Sequence, residues 1–256
     1  MLTLLLLLQA ATGPAASPVD AREGACLALA ADNADAARTE AEAFRLAGGG
    51  WRARRCLATA EGKAGRYPAA AQAFEAAARE AETAKAPAAD AATLWANAGN
   101  AWLAAGEPLK ARAALDGALA SGALKDLALG EAHLDRARAL VAAGQPAAAR
   151  ADLDQATLHA AADPLAWLLS ATLARRQGDL ARAHKDIGEA LNRAADDASV
   201  QLEAGNIALL QKDYEVARAS WAAAAKLSPG TPVGLAAANA LAQFGDAPPP
   251  APEPGR

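Results

Sequence analysis

The chain has 256 residues; hydrophobic types make up 53% of it but aromatics only 4%, and the formal net charge is −4. Alanine supplies the difference, and alanine is the best helix former, while no run alternates β-branched residues as a strand would. A weakly acidic chain without a long block of like charge lacks the footprint of a nucleic-acid binder, and its one tight basic cluster, Arg52, Arg54 and Arg55, reads as a solvated helix face.

Residues 1–16 open with Met1-Leu2-Thr3 and then five leucines, Leu4 to Leu8. This apolar run is about half the roughly 20 residues that a membrane-spanning helix needs. Small residues follow, from Thr12-Gly13-Pro14 to Ala15-Ala16-Ser17. The pattern predicts a secretory signal peptide cut near Ala15 or Ala16. Only the start amine supplies positive charge before the run, so a retained hydrophobic anchor is the alternative.

Residues 18–50 predict a helix pair, with Cys26 on the first helix, a turn at Asp32-Asn33, and Ala37, Ala41 and Phe44 lining the second. Gly48-Gly49-Gly50 stops it. No Lys-Ser or Lys-Thr follows that triplet, so it is no P-loop.

From residue 51 to 229 one unit recurs. Its turns fall at Gly65-Arg66-Tyr67, Gly106-Glu107-Pro108, Gly144-Gln145-Pro146, Gly178-Asp179-Leu180 and Lys212-Asp213-Tyr214, in steps of 41, 38, 34 and 34 residues. Each turn is followed by the same order of alanine, large apolar residue, alanine: Ala70, Phe74, Ala77; Ala111, Leu115, Ala118; Ala149, Leu153, Ala156; Ala183, Ile187, Ala190; Ala217, Trp221, Ala224. Before the last turn Ala204, Gly205 and Ala208 supply small residues at helical spacing, which lets two helices approach closely. Residues 230–244 predict one more helix, opened by Thr231 and Pro232. Its Val233, Ala237, Leu241 and Phe244 would cover the last unit. Residues 245–256, Pro-rich, predict a disordered or polyproline II tail.

The recurring unit resembles the tetratricopeptide repeat, a helix-turn-helix module with a period near 34 residues. The resemblance implies an all-α, right-handed superhelical solenoid of antiparallel helix pairs. It would hold five clear repeats over residues 51–229, a degenerate one over residues 18–50, and a C-terminal capping helix.

Chemistry is sparse. His133, His159 and His184 fall in different helix pairs and share no metal-ligand spacing. No Gly-x-Ser-x-Gly, Walker A or Gly-x-Gly-x-x-Gly pattern occurs. The carboxylates read as residues of solvated faces, and His133 points away from Glu131 and Asp135 on its helix. The expectation is no catalytic residue, no metal and no cofactor.

In the resembled family the first helices of successive repeats line a groove that binds a protein or an extended peptide. Carried over residue by residue, that groove holds Arg52, Arg55, Thr59 and Lys63, then Thr93, Asn100 and Leu103. It continues with Glu131, Leu134, Arg138 and Val141, then Leu165, Leu168, Thr172, Arg175 and Arg176, and finally Ser199, Leu202, Asn206, Leu209 and Leu210. The implied site is a basic, leucine-lined trough on an acidic body; the plainer alternative is the exposed half of amphipathic helices. One subclass of the family clamps a terminal carboxylate. Arg55 and Asn97 fit two of its places, but Thr59 departs and Glu131 and Asp135 stand where bases are expected.

The implied function is a non-catalytic scaffold or assembly factor of a bacterial-type cell envelope, periplasmic or secreted. A membrane-anchored auxiliary subunit is the alternative if residues 1–16 are retained. First helices of adjacent repeats lie side by side in the family, which brings Cys26 and Cys56 within reach of a disulfide in an oxidising compartment. Two buried thiols are the other reading. Partner identity and oligomeric state are not written in the sequence.

Overall fold

The computed structural model describes residues 17–244; the expected signal segment, residues 1–16, and the Pro-rich tail, residues 245–256, lie outside them. Among the described residues there are thirteen α-helices and no strand. The chain divides between Ala105 and Gly106 into two compact units.

The first unit is built from α1 (Pro18–Asp32), α2 (Ala34–Leu46), α3 (Gly50–Lys63), α4 (Tyr67–Thr83) and α5 (Ala88–Ala104). A single residue, Asn33, joins α1 to α2: its N–H closes α1 on Leu29 O while its side chain accepts from Ala36 N to open α2. Ala30, Ala37 and Ala60 pack together, and the buried Cys26, Cys56 and Ala41 form a neighbouring cluster. Cys26 and Cys56 are joined by a disulfide, their Cα atoms 6.0 Å apart. Farther along, Trp51 of α3 packs with Ala77, Ala78 and Ala81 of α4 and with Ala91 and Leu94 of α5.

The second unit is built from α6 (Pro108–Ala120), α7 (Asp126–Ala142), α8 (Ala149–His159), α9 (Pro164–Arg176), α10 (Leu180–Arg193), α11 (Ala198–Leu210), α12 (Tyr214–Leu227) and α13 (Pro232–Phe244). Four of its helices start on an aspartate, Asp163, Asp179, Asp197 or Asp213, whose carboxylate accepts an N–H of the first turn. Thr231 caps α13 in the same way, accepting from Gly234 N at 3.2 Å. The cores repeat the sequence pattern. Leu134, Ala137 and Leu140 of α7 pack on Ala149, Leu153 and Ala156 of α8 and on Ala166 and Leu173 of α9. Trp221 of α12 packs with Ala208, Ala217, Ala224 and Ala237, with Leu241 and Phe244 of α13 on the edge of the cluster.

Two helices approach closely at Gly205. A Cβ there would lie 2.4 Å from the Trp221 ring, so α11 meets α12 backbone against indole. The ring is fixed by its own hydrogen bond from Nε1 to Asn206 Oδ1 at 3.1 Å.

The turns inside the repeats share one geometry. Gly65, Gly144 and Gly178 have φ of +73°, +75° and +81°. In each case the next N–H reaches back to the carbonyl five residues earlier: Arg66 to Glu61 at 2.9 Å, Gln145 to Leu140 at 2.8 Å, Asp179 to Ala174 at 3.0 Å. The last turn makes the same bond, Asp213 to Ala208 at 2.9 Å, but its left-handed residue is Lys212, at φ +65°. A side chain costs roughly 1–2 kcal/mol in that region. We expect Lys212→Gly to raise stability by about 0.5–1 kcal/mol once the added chain entropy of glycine is set against this. No atom lies within 4 Å of a Cβ built at Gly178. Gly178→Ala should therefore lose about 1 kcal/mol on backbone grounds alone, and urea titration of both variants measures the pair.

Candidate functional site

Several carboxylates that the sequence places on solvated faces are buried. Glu23, Glu61 and Glu203 are each 6% exposed, and Asp152 and Asp186 each 3%. Arginines of neighbouring helices reach four of them, a long-range pairing that helical periodicity does not encode. Glu61 takes Arg38 of α2 at 3.2 Å and the turn residue Arg66. Asp186 is held by Ser170 of α9 and by Arg182 of its own helix. His133, expected to stand alone, donates from Nδ1 to Asp152 Oδ1 at 2.7 Å. Arg136 grips the same carboxylate through Nη2 at 2.7 Å and Nε at 2.9 Å, and reaches Asp116 at 3.0 Å.

These pairs absorb much of the positive charge expected in the trough. Arg52 lies 2.9 Å from Asp20 and 3.5 Å from Glu23, and Arg55 lies 2.8 Å from Glu23. Both thus join α3 to α1. Burial pushes the Glu23 carboxyl above its ordinary value against the attraction of Arg55 and Arg52. Arg175 of α9 is bound to Glu203 of α11 at 2.6 Å. The leucines behave similarly. Leu134 and Leu168 are 4% and 9% exposed and belong to helix-pair cores. Leu202 and Leu209 pack against the cluster that α13 completes. Asn206 is occupied by Trp221 and Glu203. At these positions a large side chain turns toward a neighbouring helix, so the trough is not leucine-lined where they stand.

The structure opens two pockets elsewhere on the first helices. The larger, about 300 Å³, lies in the first unit between α3, α4 and α5 and is lined among others by Thr59, Lys63, Tyr67, Phe74, Asn97 and Asn100. The other, about 250 Å³, lies in the second unit between α7, α8 and α9; Ala137, Val141, Leu153, Leu169 and Leu173 form its walls, with Arg138, Thr172 and Arg176 also lining it. The two occupy the same place in the repeat. Counted back from Gly65 and Gly144, Thr59 matches Arg138 and Gly62 matches Val141; counted back from Gly106 and Gly178, Asn97 matches Leu169 and Asn100 matches Thr172. The chemistry differs: amides, hydroxyls and a lysine in one, aliphatic groups and two guanidiniums in the other. One repeat after the second pocket, the positions of Val141 and Leu169 are held by Arg175 and Glu203, the ion pair just described.

Of the expected groove residues, Thr59, Lys63 and Asn100 therefore line the first pocket, and Arg138, Val141, Thr172 and Arg176 come together at the second. The aliphatic walls, Ala137, Leu153, Leu169 and Leu173, were missed; counting from two successive turns at once would have found them. Among the described residues no three His, Cys, Asp or Glu side chains group as metal ligands, and no helix is long and apolar enough to cross a membrane.

The tetratricopeptide repeat family model matches residues 57–125, 134–183 and 168–232. No curated protein matches the chain. Among solved structures, PilF of Pseudomonas aeruginosa is 15% identical, with 89% of this chain and 100% of that one covered at a TM-score of 0.72. PilW, a widely conserved type IV pilus biogenesis factor, is 17% identical over 86% of this chain and 98% of its own, at a TM-score of 0.68. YrrB, a protein of this repeat type with an unusual peptide-binding site, is 19% identical over 73% and 91%, at a TM-score of 0.57. At such identities the likeness shows the fold.

Two outcomes follow from the buried groups. Burial raises the Asp152 carboxyl, but the hydrogen bonds from His133 and Arg136 outweigh it and hold the group below its ordinary value. A depressed folded value means stability present above the unfolded value of 3.8 and lost as pH falls through the folded one. Asp152→Asn should cost about 3 kcal/mol at pH 7, as one-sided removal of a buried pair does, and the cost should shrink as pH falls toward 3. Denaturant unfolding across pH 3–7 checks it. The Cys26–Cys56 bond closes a separation of 30 residues. Its reduction should cost about 3–4 kcal/mol on the chain-entropy account, read as a lower unfolding midpoint, and thiol titration of denatured, unreduced protein should find no free thiol.

Proposed function

Because the chain belongs to the tetratricopeptide repeat family, whose fold serves protein–protein interaction, we propose that it is a non-catalytic assembly factor or scaffold of a bacterial-type cell envelope. It holds a protein or extended peptide on the first-helix face of its repeats. The observation that carries this reading is the pair of repeat-equivalent pockets. Both lie between successive first helices, and the second presents open lining groups where the next repeat presents a closed ion pair. A pocket repeated at one place in the module, with different lining, suits recognition of partner side chains of different chemistry.

The location rests on other features. A disulfide that uses both cysteines of the chain is at home in an oxidising compartment. Residues 1–16 carry the apolar run of an export signal. The fold-level likeness to PilF and PilW supports an envelope assembly role by analogy alone. The mature protein is thus periplasmic or secreted.

Photo-crosslinking tests the reading directly. A photoreactive amino acid at Asn100 or at Thr172, in the chain as its own cells make it, should yield a covalent adduct with an exported protein identified by mass spectrometry. The same group placed at exposed Arg79 should not. Adducts confined to cytoplasmic proteins, or equal yield from Arg79, would overturn the proposal.

A further inference from the structure

The α7–α9 pocket has a composition that selects its occupant. We infer that it seats one aliphatic side chain of an acidic partner segment, with Arg176 taking a carboxylate that flanks that side chain. The inference rests on the partner-binding reading above and gives that partner a chemistry.

The walls come first. Ala137, Val141, Leu153, Leu169 and Leu173 bring no charge and no unpaired polar group to the cavity. A polar side chain pressed on these walls would lose its water without gaining a partner from them, which costs more than the contact returns. The volume, about 250 Å³, falls below the roughly 300–1,000 Å³ of sites for drug-sized molecules. It suits a single anchor residue of a chain that passes over the mouth, the way buried anchors work in interfaces.

The guanidiniums at the pocket decide the flanking charge. Arg138 already holds Asp135 at 2.7 Å, so it is partly neutralised within its own helix. Arg176 is exposed and has no ion pair among the described residues. Its neighbour Arg175 is spent on Glu203. One cation therefore stands uncompensated beside an apolar cavity. A lysine or arginine next to the anchor would meet it at close range and be rejected; an aspartate or glutamate would be drawn in. The equivalent pocket of the first unit has Ala104 in place of Arg176, and Asn97 in place of Leu169. Its lysine, Lys63, stands at the place of Ala142, and it lacks the apolar wall, so the preference for an aliphatic anchor belongs to the second pocket.

A library of blocked hexapeptides, randomised at every position, tests this against the full mature chain. We expect retained peptides to share a leucine, isoleucine or methionine with aspartate or glutamate beside it. The best peptide, labelled with fluorescein, should lose about tenfold or more in affinity on Arg176→Glu, a change of about 1.4 kcal/mol, and keep most of it on Arg176→Lys. Thr172→Trp, which fills the mouth from a half-buried position, should abolish binding while far-UV dichroism stays unchanged. Arg79→Ala, at an exposed position outside both pockets, should leave it alone. Enrichment of basic flanks, polar anchors, no shared sequence, or binding indifferent to Thr172→Trp would each overturn the inference. If that occurs while Asn100 and Thr172 still crosslink an exported protein, partner binding stands and only this chemistry falls; if crosslinking fails as well, the reading beneath it falls too.

Discussion

The physical constraint on which this structure depends is the close packing of helices faced with alanine. A buried methyl group stabilises by roughly 0.8 kcal/mol, against about 1.5–3 kcal/mol for a buried leucine. A core made of Ala70, Ala77, Ala149, Ala156, Ala183 and Ala190 therefore needs its backbones near one another to gain enough contact. Gly205 under Trp221 is one such approach. Closeness in turn demands accurate turns, since a helix that leaves its partner at the wrong angle loses the contacts of several residues together. The left-handed turn residue and its backbone bond to the carbonyl five residues back supply that accuracy, and aspartate caps fix where α9, α10, α11 and α12 begin.

Alanine faces have a second consequence. They are shallow and alike, so they specify register poorly: one alanine ridge slides past another at little cost. The buried carboxylates correct this within each unit. Glu23 with Arg52 and Arg55 pins α1 to α3; Asp152 with Arg136 and His133 pins α8 to α7; Glu203 with Arg175 pins α11 to α9. A slip of one position would leave a buried charge without its partner, a loss of about 3–5 kcal/mol. Net stabilisation by such pairs is small, because desolvation opposes attraction; the raised value of the Glu23 carboxyl records that opposition. Their contribution is therefore to exclude misaligned packings more than to deepen the aligned one. At the N-terminal helix pair, the Cys26–Cys56 bond adds a covalent form of the same restraint.

Much of this fold was legible because it repeats. The turn residues, the alanines after them and the large residue between those alanines recur at fixed offsets, and such a pattern survives even where alanine is common. The capping role of Thr231 was legible for the same reason, as local chemistry at a helix start. The site was less so. Arg52, Arg55 and Arg175 carried charge in the sequence, but the acids that neutralise them sit a helix pair away, and nothing in the spacing of Glu23 or Glu203 marks them as buried. Leu134 and Leu168 share one apolar stripe with groove positions, and a stripe does not say which of its edges faces the partner helix. What the sequence held and single-repeat reading missed was the combination of two registers: a pocket wall is made by one helix at a fixed distance before its turn and by the next first helix at another.

That combination explains why binding and stability draw on the same places. The gap between two first helices, over the large apolar residue of the intervening second helix, recurs at α3–α5, α7–α9 and α9–α11, and at each it is either filled or left open. Arg175 with Glu203 fills it with an ion pair. Gly62 with Asn97 leaves it open and polar; Val141 with Leu169 leaves it open and apolar. Two positions thus decide whether a repeat is a structural joint or a recognition element, while the alanine core and the turns remain the same. A solenoid of this kind can change what it binds without changing how it folds, because each gap affects only its neighbours. The uncompensated charge of Arg176 fits that logic: it stands beside an open gap, whereas the adjacent Arg175 occupies a closed one.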